Sequence, residues 1–173
     1  MLVFFYGSEY PLHLSLILGL YYIQTNKAYI KNYCLVFSQV SFHDCSSIVS
    51  ICPLQNSITY GFIADIPEPF MSIFDELKRK WYNKIDIKVY NKNGNELIVK
   101  TYKMKNEFIQ NYSKPTEEYM KDIYRTISYH WKEIKEIPIY GIKNNKIIKD
   151  YNWNIFEEEY TSSGIIRKPK NPF

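Results

Sequence analysis

The stretch Val3-Phe4-Phe5-Tyr6-Gly7-Ser8 decides how the chain is expected to fold. Leu2 to Tyr6 is a continuous apolar run, which is typical of a strand buried on both faces. Gly7 and Ser8 then form a turn. Pro11 suits the first turn of a helix, where its missing amide proton costs nothing. The pattern therefore predicts a buried strand, a glycine turn, and a packed helix that runs to about residue 23.

The rest of the chain shows further strand, helix and hairpin patterns. Strands are predicted where β-branched and aromatic residues cluster between turn residues, and helices where apolar residues recur at helical spacing. The expected ranges are 28–37, 47–52 and 58–66 for strands, 70–80 and about 115–137 for helices, and 81–104 and 139–151 for hairpins. A turn is expected at 54–57, and the tail from Glu157 is expected to be extended. Pro138 is expected to end the helix that begins near residue 115.

Composition is that of an ordinary single-domain globular protein. The 173 residues are 46% apolar and 23% charged, which is close to average. The net charge of +4 is spread along the chain, and the basic stretches at 78–80 and 167–170 carry no nucleic-acid motif. The apolar stretch 12–23 is too short to span a bilayer. We therefore expect neither a nucleic-acid partner nor a transmembrane segment.

The cysteines are an odd set without a Cys-x-x-Cys pair: Cys34, Cys45 and Cys52. This usage indicates reduced thiols and an intracellular protein, cytoplasmic or organellar. His43 lies two residues before Cys45, but the spacing matches no zinc signature. We expect no metal and no other cofactor.

Several short motifs occur in an order that characterises one protein family. Tyr6-Gly7-Ser8 follows the first strand, and Phe74-Asp75 lies shortly before Tyr82, which leads another strand. The remaining members of the set are Ala28–Phe37, Tyr60-Gly61-Phe62, Thr101–Met104, Pro115, Tyr119 and Ile123. With this set the chain resembles the gamma-glutamylcyclotransferase-like family. That family has a Tyr-Gly-Ser-Asn loop after its first strand and a Leu-Asp-x-x-Glu segment before a Tyr-led strand.

The resemblance covers roughly residues 3 to 130 and implies an α+β fold. The expected architecture is a small mixed sheet, curled toward a barrel, with helices packed outside. We expect a gamma-glutamylcyclotransferase-like domain over 1–137. Residues 138–173 have no counterpart in the resemblance and are expected to form a C-terminal extension, with a hairpin and a tail that docks on a partner.

The resemblance also implies a reaction and the residues that serve it. Family members cleave a gamma-glutamyl amide when the substrate's own α-amino group attacks its γ-carbonyl carbon, which releases 5-oxoproline. A carboxylate must take a proton from the amino group, and N–H donors must face the carbonyl oxygen. By resemblance, Tyr6, Gly7 and Ser8 form that cradle, and Tyr82 and Tyr119 line the pocket. Alternatively, Gly7 serves a turn that needs positive φ, and the tyrosines are ordinary core residues.

Two positions depart from the family pattern. The catalytic glutamate of the family falls on Lys78, and the loop asparagine falls on Glu9. An ammonium group has no lone pair with which to accept a proton, and a carboxylate at position 9 repels a substrate carboxylate. We expect Glu9 and Lys78 to form an ion pair across one pocket; the alternative is that both side chains reach solvent.

These departures favour a catalytically impaired protein that acts as a binding or structural subunit of a larger assembly. A gamma-glutamyl small molecule is a possible ligand of the vestigial pocket. The alternative is an active gamma-glutamylcyclotransferase, or gamma-glutamylaminecyclotransferase, in which Glu9 is a relocated base. Apolar residues of the extension would either dock on a protein partner or pack on the chain's own domain: Trp153, Ile155, Phe156, Ile165 and Ile166.

Overall fold

The computed structural model describes residues 1–40 and 47–170. This part of the chain forms nine strands and three helices. They are β1 (Leu2–Phe5), α1 (Pro11–Leu18), β2 (Thr25–Gln39), β3 (Ser47–Asp65), α2 (Glu68–Lys78), β4 (Tyr82–Asn91), β5 (Glu96–Met104), α3 (Glu117–Ser128), β6 (Glu136–Lys143), β7 (Lys146–Asn154), β8 (Phe156–Thr161) and β9 (Gly164–Pro169).

Five strands close into a small barrel. The main sheet has seven strands in the order β3-β1-β5-β4-β2-β6-β7, and β3 also pairs with β2, which closes the first five. The sheet is mixed, because β1 is antiparallel to β3 and parallel to β5. The predicted α+β class, with a mixed sheet curled into a barrel and helices outside it, is confirmed.

β1 is buried on both faces, as its apolar run predicts. Val3 and Phe5 pack in a cluster that includes residues of α1 and α2. Phe4 and Tyr6 pack in a second cluster, which includes residues of α3. Because β1 crosses the core, the Gly7 turn that follows it is delivered to one end of the barrel.

Two helices are shorter than predicted. α1 ends at Leu18 rather than near residue 23, because Gly19 adopts a left-handed conformation with φ of 62° and its amide caps the helix. α3 ends at Ser128 rather than near residue 137. The indole of Trp131 donates to the carbonyl oxygen of Gly61 at 2.8 Å, so the chain after α3 is drawn onto the barrel. Pro138 lies inside β6 and does not end a helix.

The turn predicted at residues 54–57 is absent, and 47–65 is one strand. The local irregularity is a bulge in the β2–β3 pairing, where the register shifts between Lys31 and Tyr33. Asn32 and Asn56 have φ values of 61° and 64°, a conformation that asparagine tolerates better than most residues. The Asn56 amide donates to the Asn32 side-chain oxygen at 3.0 Å, so the turn-forming residues bend a strand instead of ending it.

The region after Pro138 is divided between the main sheet and a separate hairpin. β6 and β7 form the predicted hairpin and extend the main sheet through a parallel pairing of β6 with β2. Trp153 and Ile155 are buried in the core. β8 and β9 form a two-stranded sheet of their own, on which Ile165 and Ile166 are exposed. The division near residue 137 and the docking role of the tail stay predictions.

Within residues 1–40 and 47–170, no helix combines the length and apolar character that a membrane span needs. In the same ranges, no three His, Cys, Asp or Glu side chains are grouped as metal ligands would be. His43 and Cys45, which were considered for zinc, lie outside the described residues.

Candidate active-site pocket

A pocket of about 280 Å³ opens at the end of the barrel that β1 points toward. All seven residues assigned to the site from the sequence line it: Tyr6, Gly7, Ser8, Glu9, Lys78, Tyr82 and Tyr119. Residues that the sequence did not indicate complete the wall: Phe4, Phe5, Val40, Ile48, Val49, Leu77, Trp81, Thr101 and Tyr102. The residues that the resemblance assigns to the site are therefore brought to one place.

The pocket is built from the ends of elements. Tyr6 follows β1, Lys78 is the last residue of α2, and Tyr82 is the first residue of β4. Tyr119 lies in the first turn of α3, whose N-cap residue Thr116 accepts a hydrogen bond from the Tyr119 amide at 3.2 Å. Because the caps and turns fix where each element begins or ends, they also fix where these side chains enter the pocket.

The Lys78 ammonium donates to the carboxylate of Glu9, so the predicted ion pair is present. The two side chains are 22% and 15% exposed, respectively. Burial by itself raises the pKa of the Glu9 carboxyl, but the charge and hydrogen bond of Lys78 outweigh burial, and the net pKa is lowered. Lys78 Nζ also lies 5.0 Å from the centroid of the Tyr82 ring. Glu9 is therefore held as a carboxylate with its counter-ion in contact.

Gly7 leaves space for neighbouring side chains and does not have a positive φ. Its φ lies outside the left-handed region, unlike those of Gly19 and Gly94. A Cβ atom at position 7 would come within 2.9 Å of Glu9 Oε2 and 3.2 Å of Val49 Cγ1. The glycine thus allows the turn to pass close to the carboxylate, and the interpretation based on turn conformation is wrong.

Two of the tyrosines form hydrogen bonds with the backbone carbonyl and amide groups of Val49. The Tyr82 hydroxyl donates to the Val49 carbonyl oxygen at 2.6 Å, and the Val49 amide donates to the Tyr119 hydroxyl at 3.1 Å. The Ser8 hydroxyl also hydrogen-bonds to Tyr119. Sequence reasoning could not find Val49, because its contribution comes from the backbone and its side-chain type carries no information about it.

Burial keeps the phenols of the pocket neutral. It is the main reason that the pKa values of Tyr82 and Tyr119 are raised, and the negative charge of Glu9 raises both further. Burial likewise raises the pKa of Tyr6, whose hydroxyl donates to the Tyr102 carbonyl oxygen at 2.5 Å. Tyr6 and Tyr82 therefore direct their protons toward the backbone and have structural roles as well as positions in the wall.

Asp75 braces α2 against the β4–β5 hairpin. Its Oδ1 accepts from the Tyr102 hydroxyl at 2.9 Å, and its Oδ2 accepts from Lys84 Nζ at 2.7 Å. Because Asp75 lies one helical turn before Lys78, this brace holds the end of α2 from which Lys78 reaches Glu9.

Solved structures with the same architecture are known, although no protein-family model matches the chain and no curated protein sequence matches it significantly. A gamma-glutamyl cyclotransferase is 22% identical, with a TM-score of 0.58, over 70% of this chain and 75% of that one. The chain has the gamma-glutamyl cyclotransferase fold. An uncharacterised human protein is 20% identical, with a TM-score of 0.62, over 75% of this chain and 79% of that one.

A third solved structure of this fold, YkqA from Bacillus subtilis, is 18% identical with a TM-score of 0.62. The alignment covers 75% of this chain but 48% of YkqA. At these identities, what the three proteins share with the chain is the fold. The chemistry of its pocket depends on its own residues.

Among the described residues that line the pocket, Glu9 and Lys78 carry the charges. They neutralise each other, and the remaining polar groups are neutral hydroxyls and backbone groups. Within this lining, Glu9 is the one carboxylate, so a proton acceptor of the family's kind would have to be Glu9 itself. The arrangement offers hydrogen bonds and a contact ion pair.

Proposed function

We propose that the protein keeps the gamma-glutamyl cyclotransferase fold for binding and has lost the cyclotransferase reaction. The observation that carries the proposal is the ion pair between Lys78 and Glu9 inside the pocket. Internal attack by an α-amino group requires that a base first remove a proton from its ammonium form. The position of the family's base is occupied by an ammonium, which has no lone pair to offer.

The same pair argues against Glu9 as a relocated base. A general base works best when its pKa is near the working pH, whereas the pKa of Glu9 is lowered by Lys78. To accept a proton from a substrate, the carboxylate would also have to leave its counter-ion, in a site where both side chains are largely buried. Glu9 therefore holds Lys78 and does not activate an amine.

The direct test is release of 5-oxoproline from gamma-glutamyl dipeptides and from gamma-glutamyl-lysine. We expect none from the natural sequence, and none from Glu9→Gln. The double variant Glu9→Asn, Lys78→Glu restores both residues of the family pattern, and we expect it to gain activity if the rest of the pocket still suits the substrate. Turnover by the natural sequence that Glu9→Gln abolishes would establish a relocated base and refute the proposal.

A binding role also predicts that the chain occurs in a complex, as a subunit. Within residues 138–170, the large apolar side chains that are exposed lie on the β8–β9 hairpin and could contact a partner: Tyr160, Ile165 and Ile166. β6 and β7 belong to the main sheet, so a truncation must begin after Ile155. We expect the natural protein in native extract to elute larger than the purified chain on size exclusion, and the truncated chain to elute at its own size. Elution of the natural protein as a single chain in extract would contradict the assembly role.

A further inference from the structure

We infer that Cys34 and Cys52 are an oxidation site, at which a peroxide closes a cross-strand disulfide between β2 and β3. Both cysteines are free thiols in the structure. The inference does not depend on the proposed function of the pocket, because neither thiol lines it.

The pairing register places the two cysteines directly opposite each other. Cys34 of β2 faces Cys52 of β3 in an antiparallel ladder. Opposite residues in such a ladder have Cα atoms about 4.5 or 5.5 Å apart, and disulfides are found at Cα separations of about 4.4–6.8 Å. The strands therefore already have the separation that a disulfide needs.

The two side chains also lie on the same face of the sheet. Cys34 is a member of the apolar cluster formed with α1 and α2, and Cys52 packs against that cluster. Their neighbours Leu35 and Ile51, which also face each other, belong to the other cluster. The alternation confirms that the thiols point to one side and are cross-strand neighbours.

Access to the two thiols differs. Cys34 is 3% exposed, whereas Cys52 is partly exposed. Burial raises the pKa of Cys34 to about 12; it also raises the pKa of Cys52, although the nearby cation of Lys103 opposes this. A small oxidant therefore reaches Cys52 first, and Cys34 reacts mainly with the oxidised sulfur of Cys52.

The chemistry balances with a peroxide as the oxidant. The Cys52 sulfur attacks one oxygen of hydrogen peroxide, the O–O bond breaks, and Cys52 becomes a sulfenic acid with release of water. The Cys34 sulfur then attacks the Cys52 sulfur and displaces the hydroxyl, which leaves as a second water. Two thiols lose two electrons and two protons, and the peroxide is reduced to two waters.

The new bond would tie β2 to β3 beside the bulge at Asn32 and Asn56. It would also change the wall of a second cavity, of about 330 Å³, to which Cys34, Asn56 and Tyr140 contribute. A link that closes the segment between the two cysteines restricts the unfolded chain. The oxidised protein is therefore expected to melt about 5–10 °C higher than the reduced protein.

The test uses the full chain with Cys45→Ser, which removes the third thiol. The folded protein is treated with hydrogen peroxide, alkylated under denaturing conditions and digested for mass spectrometry. We expect a peptide that joins Cys34 to Cys52, with both residues protected from alkylation, and recovery of both thiols after treatment with a reductant. Alkylation of Cys34 alongside sulfinic acid at Cys52, or disulfides only between chains, would overturn the inference.

A matched control moves one thiol along the same face. In Cys34→Ser, Val36→Cys, the new thiol is opposite Ser50 and only diagonal to Cys52, at about 7–8 Å. We expect at least a tenfold loss of the linked product in this control, with circular dichroism used to check that it folds. Cys34→Ser alone, which is nearly isosteric, should give no linked product and no shift of the melting temperature. Equal crosslinking in the diagonal control would show that register does not determine the reaction and would refute the inference.

Discussion

Replacing Lys78 with methionine tests the ion pair on which the function is argued. Methionine is unbranched like lysine, keeps most of the length of the side chain and removes its charge, so the Glu9 carboxylate is left without its partner in a largely buried site. Removing one member of a fully buried pair costs about 3–5 kcal/mol, and an exposed pair is worth about 1 kcal/mol or less. With side chains 22% and 15% exposed, we expect Lys78→Met to lower the free energy of unfolding by about 2–3 kcal/mol at pH 7.

The loss must depend on pH in a defined direction. Lys78 lowers the pKa of Glu9 below its ordinary value of 4.5, so the pair stabilises the fold above about pH 4.5. This contribution is lost as the pH falls through the lowered pKa. Without Lys78, burial raises the pKa of Glu9, and the carboxyl becomes protonated and harmless in acid. Both effects make the difference between natural and variant proteins smaller near pH 3 than at pH 7.

Urea unfolding at both pH values measures this difference. Lys100→Met is the matched control, because Lys100 pairs with Asp86 across β4 and β5 in a more exposed setting, with side chains 35% and 63% exposed. It should cost about 1 kcal/mol or less. Glu9→Gln combined with Lys78→Met removes the orphaned charge and should recover most of the loss. The reasoning is refuted if Lys78→Met costs no more than Lys100→Met at pH 7, or costs the same at both pH values.

Three further changes probe the elements that build the pocket. Tyr82→Phe leaves the Val49 carbonyl without its hydroxyl donor, and urea unfolding should show a loss of about 1–3 kcal/mol. Thr116→Ala removes the N-cap of α3, and the same measurement should show a loss of about 1 kcal/mol. Gly61→Ala places a Cβ atom 2.1 Å from the Phe5 carbonyl oxygen, so thermal melting should reveal a loss of about 3 kcal/mol or more.

Control substitutions of the same type at other positions separate these effects from a general sensitivity of the fold to substitution. Tyr90→Phe removes a hydroxyl that hydrogen-bonds to Glu96 in an exposed setting, and should cost less than Tyr82→Phe. Gly94→Ala has open space around the new Cβ atom, although its φ is 80°, and should cost less than Gly61→Ala. If either control is as harmful as its counterpart, the contact assigned to that counterpart is not the cause of the loss. For Thr116, full recovery by Thr116→Ser with loss in Thr116→Val would identify the cap as the cause.

The sequence predicted the helices and strands well where local patterns are strong. It misplaced their ends where contacts between residues far apart in the sequence determine them. The apolar run of β1 and the hairpin predicted at 81–104 are local patterns, and both are present. In place of the turn expected at residues 54–57, the β2–β3 pairing skips these residues in a bulge between the pairs Tyr33–Pro53 and Lys31–Ile58, and the left-handed conformations of Asn32 and Asn56 accommodate it. The end of α3 was misplaced because the bond from Trp131 to Gly61 joins residues far apart in the sequence.

The site shows the same division. The sequence shows the residue types at positions 9 and 78, and their opposite charges predicted the ion pair that the structure contains. The role of Val49 could not be predicted from the sequence, because two tyrosines from different elements hydrogen-bond to its backbone only after the barrel closes. The alternative that Gly7 serves a positive φ is wrong, and only the folded chain shows that the Glu9 carboxylate lies close to it.

By itself, the order of residues determined which kinds of group this protein can bring to its pocket: a cation at position 78, an acid at position 9, and phenols around them. Closure of the barrel decided whether those groups touch, which hydroxyls are occupied by the backbone, and which cysteines face each other. The physical reason is range. Charge, side-chain volume and local propensity are fixed by each residue, but burial and hydrogen bonding depend on partners that only the packed chain brings within a few ångströms.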